Sequence, residues 1–283
     1  MLDITKLQAA AKEAGADIFG VANIERFDDL PVEKHPRTIF PEVKSVIVIG
    51  RRITRGTLRG VEEGTQFIDY LLYGYKWLDN NFTSLTTVRV AEFIENNGWE
   101  AVPLPNLPPE IPPMGVAVKA DLPEPNVMLD CDDAAVRAGV GEIGYLEILV
   151  TPSFGTRQRV QLILTDAEIE PTPLLEKTIC PGSQKCKNLC PLGAFTGEKE
   201  VSICGKKAIV AQIDYRKCAK CKNGAMLNMH HPAGKPDRLA ALCTRSYVDL
   251  LEKEGRLDTK FATTFRKRPA WKIENETDLY NVG

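Results

Sequence analysis

The chain has 283 residues, of which 43% are hydrophobic and 26% charged, with a formal net charge of −2. That length accommodates one large domain, or a main domain with an appendage. The near-balanced charge removes any bulk argument for nucleic acid or an anionic membrane as partner. The opening MLDITKLQAAAKEAG lacks the basic and apolar regions of a signal peptide, and no apolar run approaches a membrane span. A cytoplasmic protein with reduced thiols is expected.

Residues 4–15 have helical spacing, with Leu7, Ala10 and Ala11 on one face. Asp17–Ala22 and Ser45–Gly50 are short apolar, β-branched runs and read as strands. Residues 65–96 are helical in pattern, as two helices or one kinked helix. They carry a polar-aromatic cluster of Tyr73, Tyr75, Lys76 and Trp77. Most such residues are packing, but a tyrosine beside a cofactor can donate a proton, so Tyr75 and Tyr73 are the candidate catalytic residues. Trp99–Leu104 is a further strand, followed by Pro103–Gly115, whose six prolines exclude a helix or central strand. That stretch reads as a surface loop or the edge of a lid.

Residues 130–138 read as a helix ending at Gly139, and Tyr145–Val150 and Arg159–Thr165 as paired strands joined by the turn PSFGT. Gly139, Gly141 and Gly144 spell G-x-G-x-x-G. A dinucleotide fingerprint follows a strand and opens a helix. Here the context is reversed, so Gly139 is read as a left-handed helix cap and nicotinamide binding is rejected. After Pro171 and Pro173 the composition turns to cysteine, lysine and glycine. The expected organisation is an α/β (α+β) domain over residues 1–170 and a cysteine-rich domain over 171–283.

Seven of the eight cysteines lie between residues 180 and 243, a concentration that points to metal ligation. Cys180-x5-Cys186-x3-Cys190-Pro191 matches the register of a bacterial ferredoxin run, C-x2-C-x2-C-x3-C-P, with Ser183 at the second cysteine. Cys218-x2-Cys221 is a second half-motif, with Gly224 where a third cysteine would follow. Thiolates also suit zinc, but the C-x3-C-P element favours an iron–sulfur cluster. One [4Fe-4S] cluster on Cys180, Cys186, Cys190 and Cys218 is the first expectation. Two clusters, recruiting Cys221, Cys243 and Cys204, is the second. Cys131 stands apart and reads as a buried small hydrophobe. His230 and His231 read as loop residues, and Arg266-Lys267-Arg268 as a solvated surface.

The stretch from Ala134 to Phe195 resembles the epoxyqueuosine reductase family, which is related to the reductive dehalogenases. The likeness is carried by Ala138-Gly139-Val140-Gly141, Gly144, Pro152-Ser153-Phe154-Gly155, Thr165-Asp166 and Cys186-x3-Cys190-Pro191. It is to a short form without the helical-repeat tail. The resemblance implies a flavin-reductase-like, cobalamin-binding N-terminal domain and a ferredoxin-like iron–sulfur module that passes electrons to cobalt. On that basis Gly139, Gly141, Gly144, Phe154 and Gly155 border the cofactor, and the acid-bearing segment falls near Asp130, Asp132 and Asp133. The Pro-rich segment would edge a corrinoid cavity within residues 1–170. The implied activity is reduction of a bound corrinoid and thereby of a small substrate, with a ferredoxin or flavodoxin as electron donor. The alternative is a non-catalytic carrier or activator that reduces a partner corrinoid protein.

Overall fold

The computed structural model describes residues 1–274. Its strands are β1 (Ile18–Asn23), β2 (Ser45–Arg52), β3 (Ala101–Leu104), β4 (Glu142–Gly144), β5 (Ile148–Val150), β6 (Gln158–Thr165), β7 (Phe195–Ile203) and β8 (Lys206–Ile213). The chain divides into two compact units. The first comprises Met1–Arg52, Trp77–Gly141 and Gln158–Glu176; the second comprises Ile53–Lys76, Glu142–Arg157 and Lys177–Gly283. Segments 53–76 and 142–157 therefore group with the cysteine-rich part, although they precede the boundary expected at residue 170.

The first unit is built on an antiparallel sheet of order β1-β2-β6-β3. The first six residues of β2 are all buried, because the sheet is covered on both faces. On one face Val21, Ile47, Ile49 and Ile163 pack with Leu7, Ala11, Val90, Ala91 and Ile94. These last residues come from the helices Ile4–Glu13 and Ser84–Asn96, which present apolar side chains at helical spacing. Each fully buried Leu, Val or Ile in this layer stabilises the fold by roughly 1.5–3 kcal/mol. Asp3 fixes where the first helix starts: its carboxylate accepts from the Thr5 amide at 2.8 Å and the Lys6 amide at 3.4 Å.

The helix Cys131–Arg137 covers the opposite face. Its end is a Schellman motif, in which the Gly139 amide donates to Val136 O and the Val140 amide to Ala135 O, each at 2.9 Å. Gly139 has φ +70°, and a Cβ there would sit 2.0 Å from Pro173 O. The cap reading of Gly139 thus agrees with the structure. Gly20 on β1 completes the contact, since a Cβ there would lie 2.8 Å from Ala138 O. The Pro-rich stretch forms no helix, and Pro103 sits in β3, at the sheet edge where a missing amide is tolerated.

Two local expectations are corrected. Tyr145–Val150 does not pair with Arg159–Thr165: β5 pairs with β4, whereas β6 pairs with β2 and β3. The reason is burial. VQLILT of β6 is buried at every position and needs a neighbour on each edge, which a central strand has. The PSFGT turn closes on itself instead, through reciprocal Thr151–Gly155 backbone bonds of 2.8 and 2.9 Å. Residues 65–96 also hold π-helical runs at Tyr70–Lys76 and Leu78–Thr83 before the regular helix. Hydroxyls help satisfy the wider turns: Thr83 Oγ1 donates to Leu78 O at 2.7 Å, and Ser84 Oγ to Asp79 O at 3.0 Å.

The second unit contains hairpin β4–β5, hairpin β7–β8 and the helices Tyr215–Lys220 and Leu242–Lys253. The β7–β8 turn is Cys204-Gly205, with φ +48° and +77°, the left-handed pair a two-residue turn requires. Tyr247, Val248 and Leu251 line the buried face of the last helix. Among the described residues no helix is long and apolar enough to cross a membrane.

Gly139→Ala should destabilise the protein by more than about 1 kcal/mol, through positive φ and the clash with Pro173 O. Gly98 provides a control: its φ is +87° but nothing lies within 4 Å of a Cβ. Urea unfolding of both variants should show the larger midpoint loss at Gly139. Equal losses would refute the packing role assigned to it.

Candidate metal centre

Four thiols reach one cavity from three separate segments of the second unit: Cys190, Cys218, Cys221 and Cys243. The cavity has a volume of about 20 Å³ and is also bordered by Leu192, Phe195 and Arg238. Cys218 sits in the short helix Tyr215–Lys220, started by Asp214, whose carboxylate accepts from the Arg216 amide at 3.0 Å. Cys221 follows at the helix end, where its amide donates to Cys218 O at 3.1 Å. The x2 spacing thus places both thiols on one turn.

Cys190 arrives on the turn formed with Pro191. The Ala194 amide donates to Cys190 Sγ at 3.3 Å. The Asp214 amide donates to Ala194 O at 2.8 Å, and Lys217 Nζ to Gly193 O at 3.2 Å, which ties this turn to the Cys218 helix. Cys243 comes from the first turn of Leu242–Lys253. Its place beside the others follows from Gly224, the position where a ferredoxin run would carry its third cysteine. Gly224 has φ +97°, and a Cβ there would meet Ala240 O at 2.4 Å and Arg245 Nη1 at 2.7 Å. No side chain fits there, so the nearby helix supplies the thiol.

The electrostatics show the thiols sensing one another. Burial pushes Cys218 up to about 12; Arg238 opposes this, and the Cys243, Cys190 and Cys221 sulfurs add to it. Burial also raises Cys243, against Arg238 and with Cys190 and Cys221. Cys221 is raised by burial, with Cys190 adding. Arg238 is 6% exposed; its Nη2 donates to Leu146 O at 2.8 Å, whereas Nη1 has no hydrogen-bond partner. A buried unpartnered donor is costly, and this one borders a cavity lined by sulfur.

Of the first expected ligand set, Cys190 and Cys218 meet in this cavity, and Cys180 and Cys186 lie outside its lining. The neighbouring Cys186 thiol lowers Cys180 to about 6, and Cys180 in turn raises Cys186. The Cys180 backbone is anchored by Glu142, which accepts the Ile179 and Cys180 amides at 2.8 and 2.6 Å and pairs with Lys206 at 3.0 Å. Cys204 sits on the β7–β8 turn. Cys131 is 4% exposed in the first unit, with its thiol raised by burial, as a small core residue would be.

The remaining expected residues have identifiable local roles. Tyr75 is buried; its hydroxyl accepts from the Met229 amide at 3.2 Å, and its ring meets His230 edge-on at 6.1 Å. Tyr73 is 50% exposed. His230 and His231 sit in a turn where both amides donate to Asn228 Oδ1, at 2.9 and 3.1 Å. Gly144 allows the Tyr247 ring to pass, since a Cβ would lie 2.8 Å from its hydroxyl. Phe154 is buried, Gly155 turns the chain at φ +63°, and Gly141 is buried between the helix Cys131–Arg137 and β4. Asp130 caps that helix and Asp133 pairs with Arg137, while Asp132 stands in the first turn.

The basic segment 266–268 is not simply a solvated surface. Arg266 pairs with Glu62 at 2.5 Å, and Arg268 with Glu63 at 2.6 Å. Glu62 is itself buried and also binds Arg245, which has no exposed side-chain surface, at 2.7 Å. The charge in the sequence signalled solvent; its buried carboxylate partner, about two hundred residues earlier, was invisible there.

No family model matches the chain. In sequence, a tetrachloroethene reductive dehalogenase from Desulfitobacterium hafniense is 35% identical over 72 residues, covering 24% of this chain and 13% of that protein. In structure, a catabolic reductive dehalogenase in complex with 3-bromo-4-hydroxybenzoic acid superposes with TM-score 0.53 and 20% identity, over 84% of this chain and 30% of that one. A second reductive dehalogenase, whose structure suggests a mechanism for B12-dependent dehalogenation, gives TM-score 0.51 and 20% identity over 76% of this chain and 28% of that one. The chain therefore spans less than a third of the solved relatives and 13% of the curated one. The fold is a mixed α/β architecture with antiparallel sheets, similar to that of these reductases, and it agrees with the resemblance read from the sequence.

Glu62→Gln should cost about 3–5 kcal/mol at neutral pH by leaving buried guanidinium charge uncompensated. Burial alone would push the Glu62 carboxyl up, but hydrogen bonds from Arg266 and Arg245 outweigh it and hold the carboxyl below its ordinary 4.5. The folded-state pKa is depressed, so the stabilisation is present above the ordinary pKa and is lost as pH falls through the folded value. Chemical unfolding at pH 7 and at successively lower pH should show the wild-type advantage over Glu62→Gln shrinking below about 4.5. An advantage independent of pH would contradict this.

Proposed function

We propose that the chain is an iron–sulfur oxidoreductase in which Cys190, Cys218, Cys221 and Cys243 hold one [4Fe-4S] cluster within a ferredoxin-like module. The observation that carries this reading is that four thiols from three segments border one cavity. The short cysteine spacings and the Cys190-Pro191 element favour a cubane over a structural zinc ion as the group they would hold.

The cluster supplies reversible one-electron transfer. The protein's own groups fit that role. Arg238 brings a buried positive charge and an unpartnered donor to the rim, and the Ala194 amide already donates to Cys190 Sγ. Donors and charge at the sulfurs are the levers by which a protein sets cluster potential. Leu192 and Phe195 border the cavity with apolar surface. Electrons would come from a small reductant protein such as a ferredoxin or flavodoxin.

The acceptor in this reading is a corrinoid, by analogy with the B12-dependent dehalogenation ascribed to a structural relative. A bound corrinoid would supply a reducible cobalt centre for reduction of a small substrate. The second reading is a carrier that reduces a partner corrinoid protein.

Anaerobically purified protein should be brown, with iron and acid-labile sulfide in equal amounts. Cys218→Ser and Cys243→Ser should lose most of the iron and lower the thermal midpoint, since a cluster bound only by the folded state stabilises it. Cys131→Ala should keep full iron. Stoichiometric zinc without sulfide would defeat the cluster reading. Titration of the reduced, cluster-loaded protein with cobalamin then separates the two readings. A saturable spectral change means the corrinoid binds this chain, whereas a spectrum that stays that of free cobalamin leaves the carrier.

A further inference from the structure

The segments that carry Cys190, Cys218 and Cys221 have a charge balance unlike that of the whole chain, which has 36 basic and 38 acidic residues. Residues 181–193 hold Lys185 and Lys187, and residues 215–226 hold Arg216, Lys217, Lys220 and Lys222, with no Asp or Glu in either segment. Two of these cations are offset by nearby carboxylates: Lys185 pairs with Glu254 at 2.7 Å, and Arg216 with Asp214 at 3.3 Å. Lys217 donates to Gly193 O at 3.2 Å and borders the four-thiol cavity. Lys187, Lys220 and Lys222 are exposed, and among the described residues no carboxylate pairs with them.

These three lysines stand where the cavity reaches the surface. Cys190 and Cys221 are partly exposed, whereas Cys218 and Cys243 are buried, so the cavity approaches solvent on the side of the first two. Lys220 and Lys222 are the chain neighbours of Cys221, only ~3.8 Å away from Cα to Cα. Lys187 precedes Cys190 by three residues, on the run whose last turn is tied to the Cys218 helix by Lys217. Leu189 and Leu192, both partly exposed, flank Cys190. The result is a mixed surface of uncompensated positive charge and apolar side chains beside a buried sulfur site.

We propose that Lys187, Lys220 and Lys222 form the docking surface on which a small acidic electron-transfer protein delivers electrons to the four-cysteine site, an inference that rests on the iron–sulfur reading of that site. Carboxylates of the carrier face the three ammonium groups, and its apolar rim meets Leu189 and Leu192. One electron passes per encounter: the carrier is oxidised by one electron, the cluster is reduced by one, and no covalent bond forms or breaks. Redox encounters are small, commonly below ~1,200 Å², so a patch of this size suffices. Complementary charge acts mainly on the rate of encounter, and it leaves the complex free to part after transfer. A polynucleotide fits the patch less well. It is held by a cationic track that follows many phosphates, whereas here a few lysines alternate with leucines around one opening.

The test uses the full chain, purified anaerobically and mixed at low ionic strength with a strongly acidic flavodoxin. A water-soluble carbodiimide, which joins amines to carboxylates, is added, and the products are mapped by mass spectrometry. Wild type should link to flavodoxin through Lys187, Lys220 or Lys222, and added salt should suppress the links. Links confined to other lysines, or none, overturn the proposal, and this arm needs no variant to fold. Reduction of the iron-loaded chain by reduced flavodoxin, followed by stopped flow, should slow at least about ten-fold in a variant combining Lys187→Glu, Lys220→Glu and Lys222→Glu. Reduction by photoreduced 5-deazariboflavin, which is small and uncharged, should keep its wild-type rate. Equal flavodoxin rates in wild type and variant overturn the proposal. So does a short RNA stem-loop bound by wild type and lost by the variant in the absence of flavodoxin links, which gives the patch to nucleic acid. Iron-free protein that still forms the expected links refutes the cluster reading and keeps the docking surface; iron-loaded protein without them refutes the docking surface alone.

Discussion

The second unit depends on a single buried guanidinium. Arg245 has no exposed side-chain surface, and it binds Glu62 at 2.7 Å, Asn223 O at 3.1 Å and Ala240 O through a further bond. Asn223 lies two residues after Cys221, and Arg245 two residues after Cys243. The Leu242 amide also donates to Asn223 O at 2.8 Å, so one carbonyl is shared by the side chain and the start of the helix. These bonds hold the Cys221 segment against the helix that supplies Cys243. Asn223 extends the brace by exchanging bonds of 2.8 and 3.0 Å with Ile273. An uncompensated charge in such a place would be strongly unfavourable, and Glu62 supplies the compensation from a distant point in the chain.

That brace explains why an incomplete cysteine run still builds a four-thiol site. The carbonyl of Ala240 and the guanidinium of Arg245 fill the space beside Gly224, so a cysteine there and the brace exclude each other. The thiol missing from position 224 is replaced by Cys243, in the first turn of a helix whose buried face already has Tyr247, Val248 and Leu251 to hold it. Helix packing thereby fixes a thiol that a loop would otherwise carry. The other half of the run keeps Cys180 and Cys186 but has Ser183 between them, and neither lines the four-thiol cavity.

The parts of this architecture that were legible in the sequence are the local ones. Strands such as the one read at Ser45–Gly50 announced themselves by continuous β-branched apolar residues, and the helix read at 130–138 by its helical pattern and Gly139 stop. The β7–β8 hairpin was overlooked, although ICGK at 203–206 is a two-residue turn between alternating runs. Cys204 drew attention as a ligand and obscured its place in that turn. The last helix was missed because its apolar residues are interrupted by Arg245 and Asp249, both buried, which breaks the pattern that burial of apolar groups alone would leave. The partner of β6 was beyond reach because pairing with β2 spans more than a hundred residues. For the metal centre, residue type and spacing identified Cys190, Cys218, Cys221 and Cys243 as candidates. Which four converge depends on the Gly224 clash and the Arg245 brace, and neither is a property of the cysteine spacing.

The cysteine-rich segment thus separates into four thiols that border one cavity and two, Cys180 and Cys186, that lie outside its lining. Where backbone anchors hold sulfurs apart around a common space, mutual repulsion and burial disfavour their ionisation, and Arg238 supplies only part of the opposing charge. On the function proposed above, a polynuclear cation would satisfy such a set, because each thiolate would gain a metal bond in place of a like-charged neighbour. Sequence spacing alone treats Cys180, Cys186 and Cys190 as members of one motif. The anchors around them differ, Glu142 for the first and Ala194 with Lys217 for the last, and only the last of the three lines the four-thiol cavity.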